Sequence, residues 1–252
     1  MTVTKWRLYI MELQGKTALI TGANRGIGEA TVKALFDKGV SKVYLAVRDT
    51  ESTTHLHAKY AEKVETLQVD VTDKASVQKL AQKATDTHIV VNNAGVMKHE
   101  SPLSENAEDA LRSEFEVNVF GLLHVAQAFE STLVANKGAI VQLNSIASVK
   151  TFGDISTYCA SKAATYSLTQ GLREKLSEKG VAVISIHPGP IGTDMGKNAG
   201  FDDAPGPEVV ANAIAEALES EDFHTFPDDV AKQIGDAYAS FADNIILGDM
   251  SL

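Results

Sequence analysis

Short apolar runs alternate with longer segments of helical periodicity along most of the chain. Residues 16–21, 42–47, 64–69, 88–91 and 139–143 are compact runs rich in Val, Ile, Leu and Ala. Such runs, with few polar interruptions, predict strands covered on both faces. Between them, residues 29–38, 105–135 and 156–179 carry the composition and spacing of amphipathic helices, and a further helix is expected over 230–244. Strand-like and helix-like segments alternate from Lys16 to Leu218, which predicts a parallel sheet with helices on both faces, a doubly wound α/β fold. No internal repeat, low-complexity run or linker interrupts the pattern, so residues 11–252 are expected to form one domain. The first ten residues do not fit it. The stretch from Met11 to Lys16 reads as a natural start leading into the first strand, so residues 1–10 are expected to be a disordered extension, which leaves Trp6 without a core role.

Composition narrows the partners. The net charge of −10 over 252 residues argues against nucleic acid and anionic membrane surfaces. No apolar stretch approaches the length of a spanning helix, and the start lacks a signal-peptide core. The single cysteine, Cys159, excludes an intrachain disulfide and fits a reducing cytoplasm; its expected role is that of a small buried filler. The seven histidines form no metal-binding pattern, so no metal site is expected and exposed or capping positions are expected for all seven.

Chemistry concentrates at the ends of the expected strands. After the first comes Gly22-Ala23-Asn24-Arg25-Gly26-Ile27-Gly28, then a helix. Strand, glycine-rich turn and helix in that order form a dinucleotide fingerprint: the glycines permit a tight turn and close backbone approach, and the helix N-terminus faces the pyrophosphate. The strand over 42–47 ends in Val47 and Arg48, where a carboxylate would grip a ribose 2′-hydroxyl and an arginine accommodates a 2′-phosphate. Arg48 and Arg25, with no carboxylate at the strand tip, favour NADP(H) over NAD(H), although Asp49 could partly neutralise Arg48. Asp70-Val71 and Asn92-Asn93-Ala94-Gly95 close the next two strands at the carboxyl edge of the sheet. Asp70 could accept from an adenine amino group, and Asn92 and Gly95 could hold the backbone close to adenosine. Singly, each is also an ordinary turn signal.

Tyr158 and Lys162 are four residues apart in an expected helix and so share a face; Ser145 lies upstream at the end of the strand over 139–143. A tyrosine titrates near roughly 10 and is a poor acid–base group at neutrality. A neighbouring ammonium favours the phenolate and is expected to lower that value. Alone, a Tyr-x-x-x-Lys pair is a common surface pattern; its weight comes from the rest of the set.

Taken together, Thr21-Gly22-x-x-x-Gly26-x-Gly28, Asn92-Asn93-Ala94-Gly95, Asn118, Ser145, Tyr158-x-x-x-Lys162 and Pro188-Gly189 resemble the classical short-chain dehydrogenase/reductase family in order and spacing, from Thr21 to about Met195. The resemblance implies a Rossmann fold and a carbonyl reductase-like activity that runs in reverse as an alcohol dehydrogenase. It implies that Tyr158 is the general acid in reduction and the base in oxidation. Lys162 tunes the tyrosine and bonds the nicotinamide ribose, Ser145 positions the substrate oxygen, and Asn118 supports a water-linked proton relay. It also implies that Gly22, Asn24, Arg25, Gly26, Ile27, Gly28, Arg48, Asp70, Val71, Asn92, Ala94 and Gly95 hold the adenosine and pyrophosphate. Pro188, Gly189, Ile191 and Thr193 cup the nicotinamide.

Residues 194–206 form a glycine-punctuated segment where relatives carry a mobile substrate lid. Val96, Met97, Ala147, Thr151, Phe152, Ile155, Pro190, Met195 and Phe201 are expected pocket walls. Few charges appear among them, so a small or medium apolar ketone, aldehyde or alcohol is the expected partner, unless Lys98 and His99 turn inward. The resemblance further implies a homodimer or homotetramer through the helices over 105–135 and 156–179. The C-terminal segment lacks the glycine-rich strand common in tetrameric relatives, which leaves a dimer as plausible. Two other readings stay open: a regulatory protein that binds NADP without turnover, and a ketoacyl-type reductase acting on a carrier-bound substrate.

Overall fold

Alternation along the strands explains the layers. A computed structural model of the chain describes residues 11–220 and 222–248. The expectations for residues 1–10, Trp6 included, and for the acidic tail tip lie outside the described residues. β1 (Thr17–Thr21), β2 (Lys42–Val47), β3 (Val64–Gln68), β4 (Ile89–Asn92), β5 (Ala139–Leu143), β6 (Ala182–Ile186) and β7 (His224–Thr225) pair in parallel in the order β3-β2-β1-β4-β5-β6-β7. Ala18 and Ile20 of β1 point into one core with Ile89, Val91, Val141 and Leu35. Leu19, between them, points into the opposite core with Val90, Ile140 and Phe129. Both faces are therefore covered, which is why these strands read as continuous apolar runs.

α1 (Gly26–Asp37) and α8 (Glu208–Leu218) pack on one face; α3 (Lys74–Lys83), α5 (Gly121–Asn136) and α6 (Ser156–Ser177) supply the other. The remaining helices are α2 (Thr54–Tyr60), α4 (Ala107–Glu114), α7 (Asp194–Asn198) and α9 (Asp229–Phe241). The expected boundaries of β2 and β5 match those observed. The helix expected over 105–135 is instead α4 and α5 joined by a π-turn at Phe115–Phe120. That continuous helical run, Ala107–Asn136, is long and apolar enough to cross a membrane by length and composition, contrary to the expectation that no stretch is. It also serves the core: Val125, Phe129 and Leu133 are fully buried against the sheet. The segment expected to be a glycine-punctuated loop begins as α7, capped by the Thr193 hydroxyl, which accepts from the Gly196 N–H.

The histidines depart most from expectation. His187, on the residue after β6, is fully buried. Its ring nitrogens bond the Ser148 hydroxyl at 2.9 Å and the Ser185 hydroxyl at 2.7 Å, and its edge meets the Tyr166 ring. His224 bonds the Tyr166 hydroxyl at 2.6 Å. Burial, reinforced by His224, pulls His187 down to about 3, and burial with the nearby Arg173 pulls His224 down to about 4. Neutral folded histidines give stability that is full above the unfolded value near 6.5 and is lost as pH falls from there through about 4 and about 3. The expected outcome is a melting temperature that drops steadily below pH 6.5, with a shallower drop in His187→Gln. An unchanged acid slope in that variant, measured by thermal unfolding at pH 4 to 7, contradicts the account.

Candidate active site

Sheet order reverses between β1 and β4, and in such sheets ligands bind outside the carboxyl ends of the strands at that point. A cavity of about 970 Å³ lies there, running from the glycine turn after β1 to the loop after β6. Its first end is built by backbone economy. Gly22 adopts φ +67°, and a side chain at Gly28 would place a Cβ 2.2 Å from the Gly22 carbonyl oxygen. The turn thus folds flat against α1, whose first N–H groups open at Gly26 and Ile27 beside the cavity. No side chain caps that helix end, which leaves it suited to an anion such as a pyrophosphate. The Asn93 amide holds the turn, donating to the carbonyls of Thr21 and Gly22.

At the end nearer β2 and β3 the wall includes Val47, Arg48, Asp70 and Val71. Asp49 lines it as well, and its carboxylate accepts from the Glu51 N–H at 3.1 Å. The Asp70 carboxylate accepts from the N–H and hydroxyl of Thr72, which with the nearby Arg48 holds it below the usual carboxylate range. Arg25 reaches across the mouth to Asp194 of α7 at 3.3 Å, with both side chains exposed. A dinucleotide with a 2′-phosphate fits these residues: a bare helix end, a turn that tolerates no Cβ, and Arg48 as a cation just past the tip of β2.

The other end carries the polar centre. Tyr158 and Lys162 rise from one face of α6, with the Lys162 Nζ 5.7 Å from the Tyr158 ring centroid. Ser145 faces the same cavity, and its hydroxyl favours the Tyr158 phenolate. The Ser145 Oγ also donates to the Pro188 carbonyl at 3.3 Å and accepts from the Ala147 N–H at 3.1 Å. Lys162 donates to the Leu143 carbonyl at 2.7 Å, and burial pulls its ammonium down to about 8. Burial pushes the Tyr158 hydroxyl above its ordinary value, against the opposing bond from Ser145. This reverses the direction expected from the sequence, because desolvation of the phenolate outweighs the other influences and Lys162 directs a proton at Leu143.

Three expected site residues stand behind the wall. Gly28 lies under the turn, where its lack of a side chain matters. Asn92 is buried within the sheet, donating to Gln142 at 2.7 Å and accepting from Thr21 at 3.3 Å, while Asn93, Ala94 and Gly95 face the cavity. Asn118 sits in the π-turn, a distortion frequent at functional sites. Its amide donates to the Val96 carbonyl and to the Ser161 hydroxyl, and its oxygen accepts from the Val96 N–H, each at 2.9 Å. It thereby fixes the wall after β4.

The other expected positions, from Gly22, Asn24, Arg25, Gly26 and Ile27 to Pro188, Gly189, Ile191 and Thr193, line the cavity. So do Val96, Met97, Ala147, Thr151, Phe152, Ile155, Pro190, Met195 and Phe201. His99 lines it as well, whereas Lys98 uses its backbone N–H on Glu114 at 2.7 Å. Glu114, fully buried in α4, escaped the sequence reading, since one acid in an amphipathic helix looks solvated. Burial pushes its carboxyl up, and one of its oxygens has no partner. Val230 of α9 also lines the cavity unannounced. Cys159 is buried beside Tyr158, as expected.

The fold and this polar centre define an oxidoreductase of the dinucleotide-binding α/β class. The chain belongs to the short chain dehydrogenase family, whose model matches residues 16–204. It is 35% identical to an uncharacterized oxidoreductase of Staphylococcus saprophyticus over 83% of this chain and 94% of that one. It is 33% identical to an NADPH-dependent 3-dehydrocapnine reductase of Ornithobacterium rhinotracheale, over 71% of this chain and 66% of that one. Among solved structures, a short chain dehydrogenase from Burkholderia cenocepacia in complex with NADP superimposes with a TM-score of 0.86 at 31% identity, covering 96% of this chain and all of that one.

The glycine turn gives a direct test. Gly28→Ala forces backbone apart at a contact no rotamer can relieve, and is expected to cost about 1–3 kcal/mol in chemical denaturation. A change below about 0.5 kcal/mol, the usual range for an uninvolved surface position, contradicts the close approach.

Proposed function

We propose that the protein reduces the carbonyl group of an apolar ketone or aldehyde with NADPH, and runs in reverse as a secondary-alcohol dehydrogenase. The observation that carries this reading is that Ser145, Tyr158 and Lys162 line one cavity continuous with the glycine turn. NADPH, when bound, supplies the hydride. The chain's own residues handle one oxygen and one proton. The hydroxyls of Ser145 and Tyr158 converge on the position of a substrate oxygen and stabilise the negative charge that develops there. Tyr158, whose raised proton affinity keeps it protonated at neutral pH, gives its proton to that oxygen. The phenolate left behind is stabilised by the Lys162 ammonium on the same helix face.

Cofactor choice rests on Arg48, the cation just past the tip of β2, while Asp49 accepts from the Glu51 N–H. The NADP complex of the Burkholderia relative and the NADPH dependence of the Ornithobacterium relative support the same choice. The substrate class rests on the wall: Phe152, Met195 and Phe201 expose 37%, 38% and 36% of their surface, high for large apolar side chains, and all line the cavity. Lys150, a cation on the same wall, points its ammonium at the Thr151 carbonyl and the Phe152 ring.

NADPH oxidation on a panel of ketones and aldehydes tests the reading. Turnover is expected to prefer NADPH, to fall at least about 100-fold in Tyr158→Phe with cofactor binding retained, and to decline as pH rises through about 8, where Lys162 loses its charge. Arg48→Ala is expected to cut the NADPH preference by about 10- to 100-fold, the worth of a charge-assisted bond to phosphate. A fully active Tyr158→Phe, or cofactor binding without turnover on any substrate class, would refute it and favour the regulatory reading.

A further inference from the structure

One buried carboxylate has no part in the chemistry above. Asp228 is 3% exposed and stands between β7 and α9, beyond the residues matched by the family model. One oxygen accepts from the Gly189 N–H at 2.7 Å and the other from the Ala231 N–H at 2.9 Å. The second bond caps α9. The first leaves the helix and crosses to the turn after β6. Contact there is close: a Cβ on Gly189 would fall 2.5 Å from the Asp228 carboxylate.

The same turn is held from its other side. The Pro188 carbonyl accepts from the Ser145 hydroxyl at 3.3 Å and from the Ile146 N–H at 2.9 Å. The Pro188–Gly189 peptide is therefore clamped between the polar centre, through its carbonyl, and the start of α9, through its amide. A carboxylate bonded to backbone N–H is a stronger tether than a neutral acceptor, and its burial makes an unmet oxygen costly. Two residues on, Val230 reaches the cavity although 47% exposed.

We propose that Asp228 is a positioning residue of the active site, holding the Pro188–Gly189 turn against the nicotinamide side of the cavity from the start of α9. This rests on the reading of the cavity as an NADPH-dependent reductase site. α9 is thereby part of the site's frame, and a change in how it packs reaches the reacting end of the cofactor without touching the adenosine end.

Asp228→Ser separates the two bonds: serine still caps a helix but is too short to reach Gly189 as well. Melting temperature, kcat on an active substrate, and affinity for 2′,5′-ADP, which occupies only the adenosine end, are measured together. The expected result is a melting temperature within a few degrees of wild type, unchanged 2′,5′-ADP affinity, and a kcat lower by about 10- to 100-fold, the scale of a small misplacement of reacting groups. Gly189→Ala, which crowds the carboxylate, is expected to lose kcat in the same way, and the double variant to be no worse than either single one. Unchanged kcat in Asp228→Ser, a parallel loss of 2′,5′-ADP affinity, or additive losses in the double variant would overturn the proposal. Wild-type protein that neither binds 2′,5′-ADP nor oxidises NADPH would instead bring down the reductase reading, and this proposal with it.

Discussion

Parallel register is the constraint on which the site depends. β1, β4, β5 and β6 are neighbours in the sheet and run the same way, so their carboxyl ends meet along one edge. The glycine turn, the Asn93–Gly95 segment, Ser145 and the Pro188–Gly189 turn each follow one of these strands directly. No long loop is needed to bring them together. A strand slipped by one residue would turn its side chains to the opposite face and move its turn out of line. Both faces of each central strand are buried, so the cores on the two sides fix the register twice over.

Around that edge, burial sets the electrostatics. It lowers the affinity of Lys162 for its proton, raises that of Tyr158, and keeps His187 neutral. The directions are consistent with one cause: a low-dielectric wall penalises whichever form is charged. In such a wall the tyrosine stays protonated, and a phenolate there would depend on the ammonium beside it. The buried histidine and carboxylate play a different part. His187 packs under the loop that carries Ser145, bonding Ser148, and Asp228 holds the turn opposite. Polar groups satisfied by short bonds on every side keep those loops in one arrangement.

Much of this was legible in the sequence. Apolar runs located β1 to β5, with β2 and β5 matched at both ends, because doubly buried strands are short and their turns are sharply polar. The glycine spacing, the i, i+4 pair on α6 and the apolar wall residues fell where expected, since each depends only on local geometry at a strand or helix end. Other features depend on contacts between distant segments. The direction of the Asn118 side chain is set by a π-turn that interrupts an otherwise regular helical pattern. Asn92 and Asn93 look equivalent in sequence, yet one ends a strand inside the sheet and the other faces the cavity. His187 reads as an ordinary histidine until β6 brings it against Ser148 and Tyr166. Asp228 meets Gly189 from far along the chain, and nothing local marks either as a partner. The proton affinity of Tyr158 was misread because the sequence displays the nearby charge and hides the depth of burial.

The most direct test of the central claim is the fate of deuterium carried at C4 of NADPH during reduction of an apolar ketone, read by mass spectrometry of the product alcohol. The account predicts one deuterium on the carbinol carbon, delivered from one face of the nicotinamide, with a rate that falls relative to unlabelled cofactor when hydride transfer limits a single turnover. Oxidation of NADPH with no label in the alcohol would contradict it.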